Sequence, residues 1–570
     1  MALLIVAGVA LRVYFAMRVP ILDNDSASLL LAAKRLTDHG MLTPISPLPT
    51  LLAAGISRLT SFPISAADGR LTQVLASIGI LFLVFFLAKR IVSQAAALLA
   101  VALMAIMPLA VFYAGISKVY SLGSFFVLLA LWLIFKAQEK TSLILGGLAG
   151  LALVAAFLTK TFMSFVIAPI ALLALVISLN RDRDESAWRP RPLWACIVAF
   201  GVLMIPIVIW RMPQNPQSFF DLVMSVLNDY EVDWLTHYSW AAWSGRWIGL
   251  VNYQALALSM IAPGSLAGAY FAARGPTGGR ALLALVVLTN MALVLINPVN
   301  HFPRTALPMA AILAIWTGAA LAGTKRDGSG IIARGMPWGL LASSIAALLI
   351  FYRQRAVTEP FIVDFIGPVT VGSIVWAMVF FSLIAFAVAA LMGALLRISN
   401  KWLTASVSSL ALVATAAWTV PFTFDSAQRQ TAEFEPKALA ASLLDDPRSI
   451  GGTDLALLAD DRAIGVLVDL PEDRLADLVA GNINAALEPM GLTGLILTDP
   501  LDAHDRTVFE LFAEEHGFRA VDLMDHLWRN QSGIDRIYDV GSAAAYQLRG
   551  MELESRPKTV SYTHLTLPTN

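Results

Sequence analysis

The sequence predicts an all-α membrane protein of about 13 transmembrane helices, followed by a small C-terminal α/β domain. Hydrophobic residues make up 58% of the 570 residues and charged residues only 14%, whereas a soluble domain carries roughly 25% charged residues. Residues 1–424 contain 28 Lys and Arg against 15 Asp and Glu, a net charge of +13, while residues 425–550 contain 10 against 23, a net charge of −13. This change of charge predicts a domain boundary near Asp425. The composition gives no support to a nucleic-acid-binding protein, and the single cysteine, Cys196, excludes a disulfide framework.

The predicted transmembrane segments follow from length and apolarity. A bilayer core requires about 20 apolar helical residues, because unpaired backbone groups cannot face lipid. The segments are Ala2–Met17, Val74–Ala88, Gln94–Ala114, Val119–Phe135, Leu143–Leu158, Phe162–Leu179, Leu193–Trp210, Leu250–Ala273, Ala281–Val299, Thr305–Ala322, Met336–Tyr352, Thr370–Leu396 and Trp402–Phe422. The first is short and contains Arg12, and a signal peptide is the alternative interpretation.

The distribution of cations predicts the orientation. With a cytoplasmic N-terminus, the inside loops carry Lys and Arg at about three times the density of the outside loops, as the positive-inside rule requires. Two outside loops are long, at residues 18–73 and 211–249. In the first, Leu29, Leu30 and Ala33 lie opposite polar residues, which predicts an interfacial helix. The second is rich in Trp, which is typical of an aromatic belt at the headgroups.

The acidic tail, residues 425–559, predicts a small α/β domain on the outer side. Strand-like runs at Leu455–Leu458, Ile464–Val468, Leu495–Thr498 and Phe518–Val521 alternate with helical patterns at Pro471–Leu487 and Ala503–His516. Residues 560–570 resemble the translation of a sequencing adapter and are not expected to belong to the fold. The glycines at Gly146, Gly147 and Gly150 predict close helix packing rather than a nucleotide site.

Two carboxylates follow the first predicted helix. Asp23 and Asp25 precede the interfacial helix. A carboxylate at the lipid–water boundary is partly desolvated, which raises its basicity and suits it to general-base catalysis. Asp25 is therefore a candidate base, and Asp23 is a second base, a metal ligand or a solvated loop residue. An N-cap also explains Asp25, because Asp there accepts hydrogen bonds from the first helical turn.

Cations on the predicted outer side form the complementary set. Arg and Lys near a membrane surface bind lipid phosphate through bidentate hydrogen bonds or as point charges. Snorkelling to headgroups is the alternative for any one of them. Each of four cations lies next to an apolar segment: Arg70, Lys118, Lys160 and Arg304. Together they predict a site that holds a lipid phosphate.

The order of these features resembles a known superfamily. The chain presents Arg12, Asp25, Ala32-Ala33 with Gly40, prolines at positions 44, 47 and 49, Arg70, then Pro108, Lys118 and Tyr120, and finally Arg304 before Pro308. Over residues 1–325 this pattern resembles the GT-C glycosyltransferases, in particular the bacterial branch similar to protein O-mannosyltransferases and lipid A aminoarabinose transferases. One departure is Ser26, which stands where the family has Glu.

The resemblance implies a function. It implies transfer of a sugar from a polyprenyl-phosphate donor to a lipid, glycan or protein acceptor at the outer face of the bacterial inner membrane, with inversion. Asp25 deprotonates the acceptor in this scheme, and three cations hold the departing phosphate: Arg70, Lys118 and Arg304. Further candidates for substrate binding are Tyr120, Lys160 and His301. No cofactor is implied with certainty, and Ser26 leaves open whether a divalent cation takes part.

Three alternatives compete with this interpretation. A secondary transporter requires ionisable residues near the bilayer midplane, and the spans contain few of them. A surface-polysaccharide ligase or polymerase uses the same carrier lipids, with residues 211–249 as its catalytic loop. An inactive, scaffolding relative would agree with the departure at Ser26.

Overall fold

The computed structural model describes residues 2–18, 24–40, 42, 46–60, 66–180, 188–211, 260–273, 277–296, 307–322, 331–357, 371–396 and 401–445, with three short strands in the tail. Nearly all of the described residues are helical, as predicted. In chain order the helices are α1 (Ala2–Arg18), α2 (Asn24–His39), α3 (Pro47–Thr60), α4 (Ala66–Ile91), α5 (Gln94–Ile106), α6 (Pro108–Gly115), α7 (Tyr120–Lys140), α8 (Leu143–Thr159), the 3-10 helix Thr161–Val166, α9 (Ile167–Leu179), α10 (Pro190–Arg211), α11 (Ala262–Ala273), α12 (Thr277–Ile296), α13 (Leu307–Leu321), α14 (Ile331–Val357), α15 (Val371–Leu395) and α16 (Lys401–Asp445).

These helices include clear membrane-spanning candidates. Within the described residues, five are long and apolar enough to cross a bilayer: Gly69–Ile91, Tyr120–Lys140, Pro190–Ile209, Ile331–Arg353 and Trp402–Phe424. The bent pair α5–α6 is a sixth, and shorter apolar helices include α8 and α13. Each predicted apolar segment overlaps a described helix. The fold is therefore that of a multi-span membrane protein, while the total of 13 spans stays a prediction.

Residue contacts divide the chain into two units. The first comprises Met1–Val19, Leu36–Phe62 and Ala67–Ser426, and the second comprises Pro20–Arg35, Pro63–Ala66 and Ala427–Asn570. The change of charge predicted a boundary near Asp425. Helix α16 passes through that position without a break and ends at Asp445.

Side-chain contacts fix the relative directions of α1, α4 and α7 in the first unit. Arg12 of α1 donates from Nε to Ser77 Oγ of α4 at 2.7 Å, and Arg70 at the start of α4 donates to Ala16 O near the end of α1, so the two helices are antiparallel. Helices α4 and α7 are parallel, because the Gln73 amide oxygen accepts from Leu122 N–H near their beginnings and Arg90 pairs with Glu139 near their ends. We call these two ends the Arg70 end and the Arg90 end.

Close packing between α8 and α10 uses the predicted glycines. A Cβ built at Gly146 would lie 2.4 Å from Pro192 O, and one at Gly150 would lie 2.5 Å from Cys196 O. Both distances are far below van der Waals contact. Only glycine therefore allows the backbones of the two helices to approach so closely, as in other membrane helix pairs.

Gly150→Ala is expected to destabilise the protein by about 1–3 kcal/mol, because the added methyl group forces α8 and α10 apart. Gly147→Ala is the matched control, since its Cβ would find Ala199 Cβ at 4.0 Å and no closer atom. Ala is a better helix former than Gly by up to about 1 kcal/mol, so this control should melt no lower than the wild type. Thermal unfolding of the purified protein in detergent measures both. Equal melting temperatures for the two variants would contradict the packing argument.

A break divides the predicted segment Gln94–Ala114 into α5 and α6. The two helices meet at an angle of 56°. Met107 between them is extended, with φ −67° and ψ 122°, because the ring of Pro108 disfavours the helical conformation in the preceding residue. Pro108 then occupies the first turn of α6, where a backbone N–H is not needed.

The described part of the second unit includes a small sheet. Strands β1 (Leu455–Leu457), β2 (Gly494–Leu497) and β3 (Arg536–Asp539) are parallel and lie in the order β1-β2-β3. The first two overlap predicted runs, whereas β3 was not predicted as a strand. The other predicted strands and helices of the tail lie outside the described residues, so the α/β domain stays a prediction.

Candidate functional site

The predicted phosphate-binding cations that the structure describes lie at the Arg70 end of the first unit. The end of α1, the start of α4, the end of α6 and the start of α7 meet there. The contact that aligns α4 with α7 is the 3.1 Å hydrogen bond from Leu122 N–H to the Gln73 amide oxygen. Gln73 lies three residues after Arg70, and Leu122 lies four residues after Lys118, so each cation is about one helical turn from this contact.

Arg70 faces the end of α1. Its Nη1 donates to Ala16 O at 3.3 Å, and the side chain is half-buried. Ala16 is one of the last residues of α1, where carbonyls lack partners within the helix and the helix dipole is negative. A guanidinium has five N–H groups, and one of them makes this contact with α1.

Lys118 stands in the short turn between α6 and α7. The turn is packed into the protein on both sides of Lys118, because Ser117 is fully buried and Val119 is 9% exposed, whereas Lys118 is half-buried. Gly115 lies against α1, since a Cβ there would be 2.3 Å from Phe15 Cδ1. The positive end of the α7 dipole follows directly, which adds to the local attraction for an anion.

Tyr120, a predicted substrate-binding residue, is buried in the packing. It is 2% exposed, and its ring centroid lies 5.4 Å from that of Tyr113 in an edge-on arrangement. Ser121 also donates to Tyr113 O at 2.8 Å. These contacts fix the start of α7 on α6, so the structure gives Tyr120 a packing role beside Lys118.

Lys160 comes to the same end from α8. It separates α8 from the 3-10 helix, its N–H donates to Ala156 O at 2.9 Å and its carbonyl accepts from Met163 N–H at 2.9 Å. A Cβ at Gly123 of α7 would touch Met163 Cγ at 3.0 Å and Thr159 Cγ2 at 3.5 Å. Lys160 therefore lies beside the first turns of α7, and the structure brings together three predicted cations: Arg70, Lys118 and Lys160.

Three predicted site residues lie outside the described residues: Asp23, His301 and Arg304. The helix that follows Arg304 is α13. Its Gly318 lies against Ala96 O, at the beginning of α5. Since Gly318 is near the end of α13, the two helices are antiparallel, and α13 begins at the end of the bundle to which α5 leads, which is the Arg70 end.

Asp25 belongs to the second unit. Helix α2 begins at Asn24, which places Asp25 as its second residue rather than in the N-cap position. The Asp25 side chain lies outside the described part. The neighbouring Ser26 is 1% exposed, so a glutamate at that position would bury its carboxylate, which is costly without a partner.

Two polar residues inside α4, Gln73 and Ser77, were not predicted from the sequence, whereas Arg70 was. Arg70, Gln73 and Ser77 are three and four residues apart, so they share one face of the helix. All three contact neighbouring helices. Polar residues at helical spacing in an otherwise apolar segment are the signal that could have predicted this face.

Arg12 is the most completely buried cation of the described chain. It has no exposed surface, and it donates to four oxygens: Ser77 Oγ at 2.7 Å, Gly8 O and Ala105 O at 3.0 Å each, and Met104 O at 2.9 Å. It thereby ties α1 to α4 and to the end of α5.

A metal site was left open by the sequence. Among the described residues, no three His, Cys, Asp or Glu side chains are grouped so that they could hold a metal ion. Asp23 and the Asp25 side chain lie outside that set, so the two carboxylates stay the candidates for a divalent cation.

Part of the chain that includes these cations matches a known protein family. Residues 43–210 match the family described as dolichyl-phosphate-mannose-protein mannosyltransferase. This range includes Arg70, Lys118 and Lys160. The chain is also 36% identical over 149 residues to the protein named "Putative mannosyltransferase YkcB" of Bacillus subtilis (strain 168), a match that covers 26% of this chain and 21% of that protein. The chain therefore spans about a fifth of the length of this relative.

The fold has solved counterparts. ArnT from Cupriavidus metallidurans in the apo state has a TM-score of 0.55 at 15% identity, over 93% of this chain and 90% of ArnT. ArnT bound to undecaprenyl phosphate has a TM-score of 0.57 at 15% identity, over 93% and 91%. This chain is therefore a multi-span membrane protein with an ArnT-like fold, and its residues 43–210 match the dolichyl-phosphate-mannose-protein mannosyltransferase family.

Proposed function

We propose that the protein transfers a sugar from a polyprenyl-phosphate carrier to an acceptor at the outer face of the bacterial inner membrane. The observation that carries this proposal is that Arg70, Lys118 and Lys160 lie at the same end of the bundle, within the part of the chain that matches the mannosyltransferase family. A relative of the same fold, ArnT, binds undecaprenyl phosphate.

The cations suit the phosphate of such a carrier. Arg70 offers a planar fork of N–H donors, whereas Lys118 and Lys160 supply compact charges. Hydrogen bonds between cationic groups and phosphate are about twice as strong as those between neutral groups. In this proposal, Arg70, Lys118 and Arg304 hold the phosphate and stabilise the negative charge that grows on it as the sugar leaves.

Asp25 acts as the general base in this proposal. It removes the proton from the acceptor hydroxyl, and the hydroxyl oxygen attacks the anomeric carbon of the sugar. The bond between that carbon and the phosphate oxygen breaks with inversion, and the electron pair leaves with the polyprenyl phosphate. Because phosphate is already a good leaving group, the second carboxyl group of a glycoside hydrolase is less necessary.

The opposite end of the bundle supports the proposed orientation. Among the described residues, the cations at the Arg90 end include Lys89, Arg90, Lys136, Lys140, Arg189 and Arg191. Glu139 lies among them and pairs with Arg90 and Lys136. Cytoplasmic loops are rich in Lys and Arg, so we assign this end to the cytoplasm and the Arg70 end to the outer surface. A lipid, glycan or protein acceptor then approaches from outside.

Binding of undecaprenyl phosphate to the purified, full-length protein in nanodiscs tests the proposal. We expect saturable binding that weakens as salt is added, because the attraction is electrostatic. Undecaprenol, which has the same chain without the phosphate, is the control and should bind much more weakly. Equal binding of the two lipids, or no binding of either, would exclude a phosphate site.

A further inference from the structure

The break between α5 and α6 leaves a backbone oxygen without its usual partner. In a continuous α-helix, the N–H of each residue donates to the carbonyl four residues earlier. The carbonyl of Met104 would therefore accept from residue 108, but Pro108 has no N–H. Both Met104 and Met107 are fully buried, so bulk water does not reach the Met104 carbonyl to donate the missing hydrogen bond. A buried carbonyl without a partner is costly, which raises the question of what satisfies it.

Arg12 supplies the missing donors. Its Nη2 donates to Met104 O at 2.9 Å, and its Nη1 donates to Ala105 O at 3.0 Å. The guanidinium thus takes the place of the N–H groups that the next helical turn would have provided. Its positive charge also faces the negative end of the α5 dipole. In the described residues, all its partners are neutral oxygens, so its role differs from that of an ion-paired arginine.

The break between α5 and α6 changes the direction of the chain that leads to Lys118. Helix α6 departs from α5 at 56° and ends at Gly115, which lies against Phe15 of α1. Lys118 follows three residues later, after the buried Ile116 and Ser117. Four residues separate the N-terminus of α7 from the end of α6, so the direction of α6 sets where Lys118 stands.

We propose that Arg12 is a positioning residue: by closing the open end of α5 it holds the α5–α6 break, and the break places Lys118 for phosphate binding. This inference rests on the proposed function, because Lys118 matters as a ligand only if the protein binds a carrier phosphate. Arg12 itself acts through α6 and does not touch the lipid.

Pro108→Ala tests the break while leaving every cation in place. Alanine has an N–H that can donate to Met104 O, so α5 and α6 are expected to join into a straighter helix and to displace Lys118. The affinity for undecaprenyl phosphate should fall about tenfold or more, the loss expected from one charge-assisted hydrogen bond. Affinity within about twofold of the wild type would overturn the inference.

Arg12→Lys tests the brace itself. An ammonium group keeps the charge but cannot span four acceptors in the geometry of the guanidinium fork. We expect a similar loss of affinity, together with faster hydrogen exchange of residues 109–119. Thr415→Val is the matched control, because it removes another buried interhelical hydrogen bond, from Thr415 Oγ1 to Ser344 Oγ at 3.0 Å. It should lower the melting temperature without changing lipid affinity.

The outcomes separate the two proposals. If wild type binds undecaprenyl phosphate and Arg12→Lys loses no more affinity than Thr415→Val, Arg12 has only a structural role and the inference is wrong. If wild type does not bind the lipid, the proposed function fails. Hydrogen exchange does not depend on the lipid, so unchanged exchange of residues 109–119 in Arg12→Lys overturns the inference in either case.

Discussion

Asp25→Asn is expected to lower the rate of sugar transfer about 10²–10⁴-fold, the usual contribution of a general base. Asparagine has nearly the same shape as aspartate but cannot accept the proton of the acceptor hydroxyl. The affinity for undecaprenyl phosphate should stay close to that of the wild type, because the phosphate is held by cations elsewhere in the chain. Initial transfer rates from a polyprenyl-phosphate mannose in nanodiscs, measured beside lipid binding, check both expectations.

Asp38→Asn is the matched control for this prediction. Asp38 lies near the other end of the same helix, α2, and is exposed. Removing its charge should leave the transfer rate unchanged. If Asp25→Asn transfers at the wild-type rate, Asp25 is not the base. If Asp23→Asn stops transfer while Asp25→Asn does not, the role belongs to Asp23.

Asp23 and Asp25 are also the candidate ligands of a divalent cation, so measurements of the transfer rate can test for a metal as well. Ser26 stands where the family that the sequence resembles has Glu, and it is buried, so Asp23 is the candidate for a second carboxylate close to Asp25 in the chain. A transfer rate that is restored by added Mg²⁺ or Mn²⁺ after chelation would assign a divalent cation to Asp23 and Asp25. A rate that chelation leaves unchanged would leave Asp25 to act as a base alone.

Much of the helical architecture could be predicted from the sequence. Membrane helices must satisfy their backbone groups internally, so an apolar run of sufficient length allows little else. The predicted segment Leu143–Leu158 became α8 (Leu143–Thr159), and Leu193–Trp210 became α10 (Pro190–Arg211). The cations also could be found, because charged residues are scarce in such a chain and those beside apolar segments stand out.

Other features depend on contacts that the sequence does not display. The proline-rich residues after Pro44 did not suggest a helix, yet α3 begins at Pro47, because prolines are tolerated in a first helical turn. Pro108 suggested a motif position but not a 56° break, beside which Arg12, from a distant part of the chain, donates to Met104 O. Strand β3 was missed because Arg536-Ile-Tyr-Asp539 has only two apolar residues and no extended run.

Lys118→Ala is expected to weaken the binding of undecaprenyl phosphate about 10- to 100-fold. A hydrogen bond from a charged donor contributes about 1.5–3 kcal/mol, which corresponds to this range of affinity. The half-buried position of Lys118 reduces screening by salt relative to a fully exposed lysine. Titration of the purified protein with the lipid at two salt concentrations measures the effect.

Lys136→Ala is the matched control. Lys118 lies just before the beginning of α7, whereas Lys136 lies near the end of α7, at the Arg90 end. It pairs with Glu139 at 3.0 Å, and like Lys118 it is half-buried. Both substitutions remove one positive charge from the protein, so they have equal effects if lipid binding depends only on net charge. A loss confined to Lys118→Ala assigns the phosphate to the Arg70 end, whereas equal losses would show a general attraction between the cationic residues 1–424 and an anionic lipid.

Combining Lys118→Ala with Arg70→Ala shows whether the two cations hold one phosphate. Residues that share a bound group are coupled, and their combined effect differs from the sum of the single effects by about 0.5–3 kcal/mol. Gln73 and Leu122 align the helices that carry these cations, so each single variant leaves the other cation in place. Strictly additive losses would indicate that Arg70 and Lys118 act on separate groups. Coupled losses would show that the beginnings of α4 and α7 form a single anion site, as the proposed function requires.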